Sequence, residues 1–392
     1  MIARIIVLLV ALIVLPDVWL YRRHLRRRPL RRLWRTLFWV PAVVLVCYAL
    51  ALSAVDHFAP HEINYLFFFL LLLGLLVVPK ALYALCSALG SLRCRLLHKR
   101  HNWGNALGLL LAVLSVAAIV YGSTVGVMQL KVRQVEYASA DLPEAFDGYR
   151  VVLFSDVHAG TLIDFRDRLV DKLVDSINAQ HADLAVFAGD LQNVWPEELD
   201  RVQGRLSRIS AADGVMAVLG NHDYAKYVRV DAATRELNEL QTQTRIRSMG
   251  WQLLMNEHRK VRRGHDSIVV AGTEDVSGAI YEKGYPVRCD VPKAVEGIGR
   301  QAFVLMVQHA PVVWRDSILP QSHAQLTLAG HTHGGQVRLL GLSPYRLLSK
   351  YDAGMFYEGD RAMYVSSGVS GVVPFRLGVP PEIVVVTLRK KR

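Results

Sequence analysis

Val151-Val152-Leu153-Phe154-Ser155-Asp156-Val157-His158 carries an apolar run straight into an acid and an imidazole two positions apart. A short aliphatic run ending in an oxygen or nitrogen ligand reads as a buried strand that delivers a side chain to the carboxyl edge of a sheet. The construction occurs four more times. Leu184-Ala185-Val186-Phe187 leads to Gly189-Asp190, and Val215-Met216-Ala217-Val218 leads to Gly220-Asn221-His222-Asp223. Phe303-Val304-Leu305-Met306-Val307 leads to His309, and Leu326-Thr327-Leu328 leads to Gly330-His331-Thr332-His333. Five such ends brought together make a mixed oxygen and nitrogen pocket. Its donors suit divalent Mn, Fe, Zn or Ni, and no Cys among them could close a structural zinc knot.

Between these runs lie helical patterns. Phe165 to Gln180 places Leu169, Leu173, Val174 and Ile177 on one face. Pro196 to Ile209 and Ala232 to Met249 read similarly, and strands dominate late in the chain. Strand–helix alternation of this kind predicts an α/β sandwich of two sheets. Glu257 to Asp266, with Arg259-Lys260-Val261-Arg262-Arg263-Gly264, reads as a solvated hairpin turn. His181, His258, His265 and His323 belong to no motif and read as surface residues.

The ordered motifs resemble those of the calcineurin-like metallophosphoesterases, and among them the bacterial YaeI/YkuE-like phosphodiesterase branch. Gly334-Gly335-Gln336, Tyr364-Val365-Ser366-Ser367-Gly368, Pro374-Phe375-Arg376 and Pro380-Pro381-Glu382-Ile383 extend the resemblance to the C-terminus. It implies a four-layer αββα sandwich and hydrolysis of phosphate esters at two divalent ions ~3.5–4 Å apart, which activate a shared water and hold the phosphoryl oxygens. It assigns Asp190 as the shared anionic ligand. Asp156, His158 and His333 complete one metal, and Asn221, His309 and His331 the other. His222 would stabilise phosphoryl charge or protonate the leaving oxygen, with Asp223 orienting its imidazole and keeping it protonated. Asn193 stands where the family usually has an acid, which removes a carboxylate from behind the ligands. Arg376 reads two ways, beside the substrate phosphate or bracing the tail.

The N-terminal third is different in kind. Of the formal net charge of +12, the residues through Leu130 contribute 14 Lys/Arg against 3 Asp/Glu, while the remainder is nearly balanced. Apolar stretches at 2–20, 37–55, 63–86 and 106–126 each approach the ~20 residues that cross a bilayer. Arg22-Arg23-His24-Leu25-Arg26-Arg27-Arg28 between them reads as a cytoplasmic loop rather than a nucleic-acid surface. The first stretch lacks an Ala-x-Ala-like site and reads as a retained anchor. Basic loops after the first and third stretches, against none in Asp56 to Glu62, put the N-terminus and the C-terminal domain outside the cytoplasm.

Asp17 falls inside the first stretch, where it can pair with Arg22 or reach headgroups, though an intramembrane acid also invites a functional reading. His57 and His61 read as loop residues. Cys47, Cys86 and Cys94 lie in the membrane half and Cys289 alone in the other, so no internal disulfide is expected there. The sequence thus predicts a four-helix transmembrane region, 1–130, and a metallophosphoesterase domain, 131–392. Its expected activity is phosphodiester hydrolysis at the cell membrane, on envelope or lipid-linked substrates, with membrane lipid as partner and no nucleic acid. Two other readings are a lipid-linked pyrophosphatase on the cytoplasmic face and a non-catalytic membrane sensor.

Overall fold

Backbone N–H and C=O groups in hydrocarbon must satisfy one another, so apolar runs of bilayer length fold as helices. The computed structural model describes residues 5–26, 28–29, 31–55, 63–224, 227–228, 230–275 and 288–392. The chain divides into two units, Met1–Ser123 and Thr124–Arg392. The first holds helices α1 (Ile6–Leu20), α2 (Arg32–Leu37), α3 (Val40–Ser53), α4 (Asn64–Leu72), α5 (Val78–Leu96) and α6 (Trp103–Thr124).

Among the described residues three stretches are long and apolar enough to cross a membrane: Arg32–Ser53, Asn64–Leu96 and Trp103–Met128. Four were expected. The difference lies in the first, where α1 runs on into the π-helical turn Tyr21–Leu25. Its apolar part has 15 residues and holds Asp17, short of the ~20 apolar residues that span the hydrocarbon core, and the continuation carries Arg22 and Arg23. The third expected stretch, 63–86, is longer than predicted, because α5 continues to Leu96 through Arg93 and Arg95.

Asp17 is fully buried, and its partner is Lys80 of α5, whose Nζ lies 2.7 and 2.8 Å from the two carboxylate oxygens. Arg22, five residues on, is off the i+3/i+4 face of the same helix. Further along the seam, Tyr83 Oη and His24 Nε2 are 3.2 Å apart. His57 and His61 lie outside the described residues.

The second unit has two six-stranded sheets. Its strands are β1 (Lys131–Ser139), β2 (Arg150–Phe154), β3 (Leu184–Ala188), β4 (Val215–Val218), β5 (Gln252–Leu253), β6 (Glu257–Arg263), β7 (Asp266–Gly272), β8 (Val304–Val307), β9 (Leu326–Ala329), β10 (Gly354–Glu358), β11 (Arg361–Val365) and β12 (Glu382–Lys390). One sheet has the order β1-β12-β2-β3-β4-β5 and the other β10-β11-β9-β8-β7-β6. In the first, β2, β3, β4 and β5 run parallel; in the second, β7, β8, β9 and β11 do.

Alternation along the strands sorts side chains into layers. Val151, Leu153, Val186 and Val384 of the first sheet meet Val270, Leu305, Leu328 and Tyr364 of the second in one buried cluster. Val152, Phe154 and Phe187 face the other way, against Leu169, Leu173, Val174 and Ile177 of helix α7 (Arg168–Asn178). On the far side Val304, Met306 and Met363 pack on Trp314 and Ile318. The result is the αββα sandwich.

The helical run over Pro196 to Ile209 is shorter than its pattern suggests. It divides into a 3-10 turn, Pro196–Arg201, and α8 (Gln203–Leu206); Glu198, in the first turn, bonds back onto the preceding loop. Ala232 to Met249 is observed as α9 (Ala232–Ser248). Glu257 to Asp266 is not a turn as a whole: its alternating side chains make Glu257–Arg263 the strand β6, and only Gly264 and His265 turn the chain into β7.

The buried Asp17–Lys80 pair yields the first prediction. Removing one partner leaves an uncompensated charge, whereas replacing both with apolar residues does not. Lys80→Met should destabilise the helical unit by about 3–5 kcal/mol, and the Asp17→Leu/Lys80→Met double variant should recover most of that loss. Equilibrium unfolding in mixed micelles checks it; a double variant no more stable than the single one would refute the pairing.

Candidate metal centre

Every expected ligand follows the carboxyl end of a parallel strand: β2, β3 and β4 in one sheet, β8 and β9 in the other. The loops are zipped together by their backbones. Asp156 N–H donates to Gly189 O at 2.8 Å, and His158 N–H donates to Asp190 O at 3.2 Å. Turning a ligand inward immediately after a strand demands unusual backbone. Asp156 (φ 53°), His158 (φ 46°), Asp190 (φ 62°), His331 (φ 73°) and His333 (φ 51°) are all left-handed, each at a cost of order 1–3 kcal/mol. Gly189, at φ 92°, could not be otherwise, since a Cβ there would sit 2.6 Å from Gly220 N and 2.7 Å from His309 Nδ1.

These turns bring together all seven residues expected as ligands. Asp190 Oδ2 lies 3.1 Å from His309 Nε2 and 3.6 Å from His158 Nε2. Asn221 Oδ1 lies 3.1 Å from His309 Nε2 and 2.8 Å from His331 Nδ1. His333 Nε2 is 3.7 Å from Asp156 Oδ1. Among the described residues, three groups could hold a metal ion: Asp156, His158 and His333; His158, Asp190 and His222; and Asp190, His309 and His331.

The donor set fits divalent ions on two further counts. His158 is fully buried, yet neither ring nitrogen has a hydrogen-bond partner among the described residues, an arrangement costly without a ligand. His309 Nδ1 and His333 Nδ1 meet the carbonyls of Ala188 (2.7 Å) and Ser370 (3.1 Å). Nδ1–H donation there aims Nε2 of both rings into the site, the arrangement usual for a metal-binding His.

Residues 149–335 match the family described as "Calcineurin-like phosphoesterase", and residues 3–127 match "Probable Calcineurin-like phosphoesterase, transmembrane domain". The chain carries a calcineurin-like phosphoesterase domain. It is 28% identical over 284 residues to "Transmembrane protein with metallophosphoesterase domain" of Danio rerio, a match covering 71% of this chain and 62% of that one. It is also 28% identical to "Uncharacterized metallophosphoesterase" of Aquifex aeolicus, covering 67% of this chain and 93% of the relative. "Uncharacterized metallophosphoesterase YkuE" of Bacillus subtilis is again 28% identical, with 64% and 82% covered. The chain is similar to membrane-associated metallophosphoesterases, and it spans about three fifths of the length of the Danio rerio protein.

The electrostatics of this phosphoesterase site prepare it for cations. Burial pushes His158 down to about 3 and His331 to about 4, and holds His333 well below the ordinary imidazole value. Their lone pairs are therefore free at neutral pH. Burial also works against charge on His309, but the Asp190 carboxylate beside it prevails and raises it to about 10. Burial would raise Asp190, yet the cationic His309 and His222 hold it well below the usual carboxylate range. Burial lifts Asp156 to about 6.

Two expectations need correction, and the two readings of Arg376 are separated. Asp223 does not orient His222: its carboxylate accepts the backbone N–H groups of Asp190 (2.8 Å), Leu191 (2.8 Å), Gln192 (3.2 Å) and Gly220 (2.9 Å). Those four convergent donors leave it tying two ligand loops together, and the carbonyl of Asn193 meets His222 Nδ1 instead. The acid expected near position 193 is displaced rather than lost. Glu198 is partly buried and accepts the N–H groups of Asn193, Val194 and Trp195, fixing the carbonyl that His222 uses. Of the two readings of Arg376, the bracing one holds. Its buried guanidinium donates to the carbonyls of His333 (2.9 Å), Ser367 (2.7 Å) and Ser370.

Sequence reasoning missed two contributors. Tyr227 Oη accepts from Asn221 Nδ2 at 2.6 Å and its ring lies 4.4 Å from that of His222, so it turns the Asn221 amide oxygen toward the histidines. Gly368, quoted only as part of a tail signature, sits at φ 73° where a Cβ would be 2.6 Å from Asp156 Cβ. Only the folded chain reveals either contact. His181, His258, His265 and His323 join no metal-capable group among the described residues.

Because His309 stays protonated up to about 10 and must lose that proton to bind a cation, metal uptake at pH 7.5 should release about one proton. Apparent affinity should then rise about tenfold per pH unit below that value. Calorimetric metal titrations in buffers of different ionisation enthalpy measure the release directly; none at pH 7.5 would contradict the assignment.

Proposed function

We propose that the protein is a membrane-anchored two-metal phosphodiesterase, its catalytic unit facing away from the cytoplasm, that cleaves phosphoesters of envelope or lipid-linked molecules. The observation that carries this reading is the position of Asp190. One carboxylate oxygen faces His309 and His158 together, as a ligand shared by two closely spaced cations must. Asp156, His158 and His333 would complete one position, and Asn221, His309 and His331 the other. Divalent Mn, Fe, Zn or Ni bound there would activate water as the nucleophile and neutralise phosphoryl charge.

The chain's own groups handle the rest. The neutral Asn221 amide adds no negative charge, which keeps its position electrophilic. His222 is anchored through Nδ1 to the Asn193 carbonyl, and its role would be to stabilise phosphoryl charge or hand a proton to the leaving oxygen. Its ring lies 4.9 Å from that of His158, beside the reacting group. Membrane association favours substrates that are themselves at the bilayer, and the loop charges favour the outer face.

Full-length protein should hydrolyse bis(p-nitrophenyl) phosphate when supplied with Mn. Asp190→Asn should lose more activity than Asn221→Ala, since it removes the only anion shared by both positions. His222→Ala should keep its metal content while turnover of alkyl phosphodiesters falls by about 10²–10⁴-fold. For nitrophenyl esters, whose leaving group needs little protonation, the loss should be smaller. Equal losses on both would make His222 a phosphate stabiliser, and an inactive but metal-loaded wild type would favour a sensor.

Orientation has its own test. Alkaline phosphatase fused after Arg392 should be active, and a fluorescent protein that folds only in the cytoplasm should stay dark. The reverse pattern would move the catalytic unit inside and favour a cytoplasmic lipid-linked pyrophosphatase.

A further inference from the structure

Directly after the His331-Thr332-His333 turn, the phosphoesterase unit exposes a cluster of leucines. Leu339, Leu340, Leu342, Leu347 and Leu348 fall within ten residues; Leu340 is fully exposed (102%), and Leu347 and Leu348 are 90% and 86% exposed. Isolated exposed leucines are ordinary, but a contiguous apolar patch on a soluble face marks an interaction surface.

The backbone makes the case stronger. Leu339 and Leu342 exchange both N–H···O bonds at 2.9 Å, closing a two-residue turn with Leu340 (φ 49°) and Gly341 (φ 82°) at its tip. Positive φ at both central positions is the type I′ pattern, whose first position prefers Asn, Asp or Gly. A leucine there is disfavoured twice, by its Cβ against the backbone and by its contact with water.

The loop is not loosely hung. Its root is tied by Arg338 N–H to Leu377 O at 2.8 Å. Arg338 and Arg346 both pair with buried Asp352, at 2.9 and 3.0 Å. The Asp352 carbonyl in turn accepts the hydroxyl of Thr332, between the two ligand histidines. Ser343 Oγ reaches Gly334 O at 3.4 Å. The leucines are therefore held rigidly beside the metal-site edge, with Arg346 and Lys350 flanking them.

We propose that Leu339–Leu348 is a bilayer-contact loop: its leucines enter the acyl boundary, its cations meet anionic headgroups, and the metal-site edge is seated against lipid. A lipid surface is the occupant the observations select. The same chain carries stretches long and apolar enough to cross a membrane, which tether it to a bilayer, and apolar side chains flanked by cations are the composition that binds an anionic interface. The contact rests only on membrane association. Its consequence, that the site draws phosphoesters from the membrane, rests on the phosphodiesterase reading.

The test places a bimane label at Leu340→Cys or Leu347→Cys in full-length protein whose four native cysteines are serine. The protein is held in nanodiscs of phosphatidylcholine and phosphatidylglycerol, with or without bromine on the acyl chains. Bromine should quench both labels at least twofold. It should leave a label at His265→Cys unchanged, because that turn joins β6 to the amino end of β7, opposite the metal edge. Unquenched labels at 340 and 347 in protein of wild-type melting temperature would overturn the proposal. So would a blue shift independent of bromine, which would mean that protein covers the loop. If the cysteine-free background does not fold, Leu340→Asp/Leu347→Asp in the native background supplies the readout. Hydrolysis of a water-soluble diester should stay within about twofold of wild type while that of a bilayer-embedded diester falls at least tenfold; equal rates on both would also overturn it. Quenching reads position rather than turnover, so its failure is distinct from failure of the phosphodiesterase reading.

Discussion

The Asp190 carboxylate, buried where the ends of two parallel strand sets meet, organises the catalytic unit. One oxygen faces two imidazoles and the other accepts His222 N–H at 2.8 Å. The surrounding loops must approach so closely that glycine is obligatory at their contact, and the ligands beside it adopt left-handed backbone. Local preference opposes such a site, and tertiary structure must hold it in place.

That hold comes from three charges outside the expected metal set. Asp223 gathers the N–H groups of the β3 and β4 loops, Glu198 gathers those of 193–195, and Arg376 gathers the carbonyls of the β9 and β11 loops. Each opposes its charge to converging backbone dipoles rather than to a counter-ion. The imidazoles and carboxylates they position are left with unspent lone pairs and one displaced proton on His309. That is the electrostatic state a divalent cation relieves.

The membrane unit follows the same rule by other means. In an apolar surround Asp17 finds the nearest opposite charge on a neighbouring helix, and the pair cross-links α1 to α5. Hydrophobicity makes the helices, while polar contacts such as this one and Tyr83–His24 select which faces meet.

Much of this was legible in residue order. Apolar runs ending in Asp, His or Asn specify strands and ligands together, because a strand has one carboxyl end and a ligand must leave the sheet there; the two-sheet fold and the seven clustered residues follow. Long apolar stretches likewise specify helices, whatever their partners. Roles that depend on direction were not legible. Whether Asp223 meets an imidazole or four amides, whether Arg376 faces phosphate or carbonyls, and whether Asp17 pairs with Arg22 or Lys80 are settled by groups distant in sequence. Composition and spacing carry the chemistry a residue can perform. The partner it performs it with is decided by packing, since a buried charge goes to whichever complementary group the fold brings within about 3 Å.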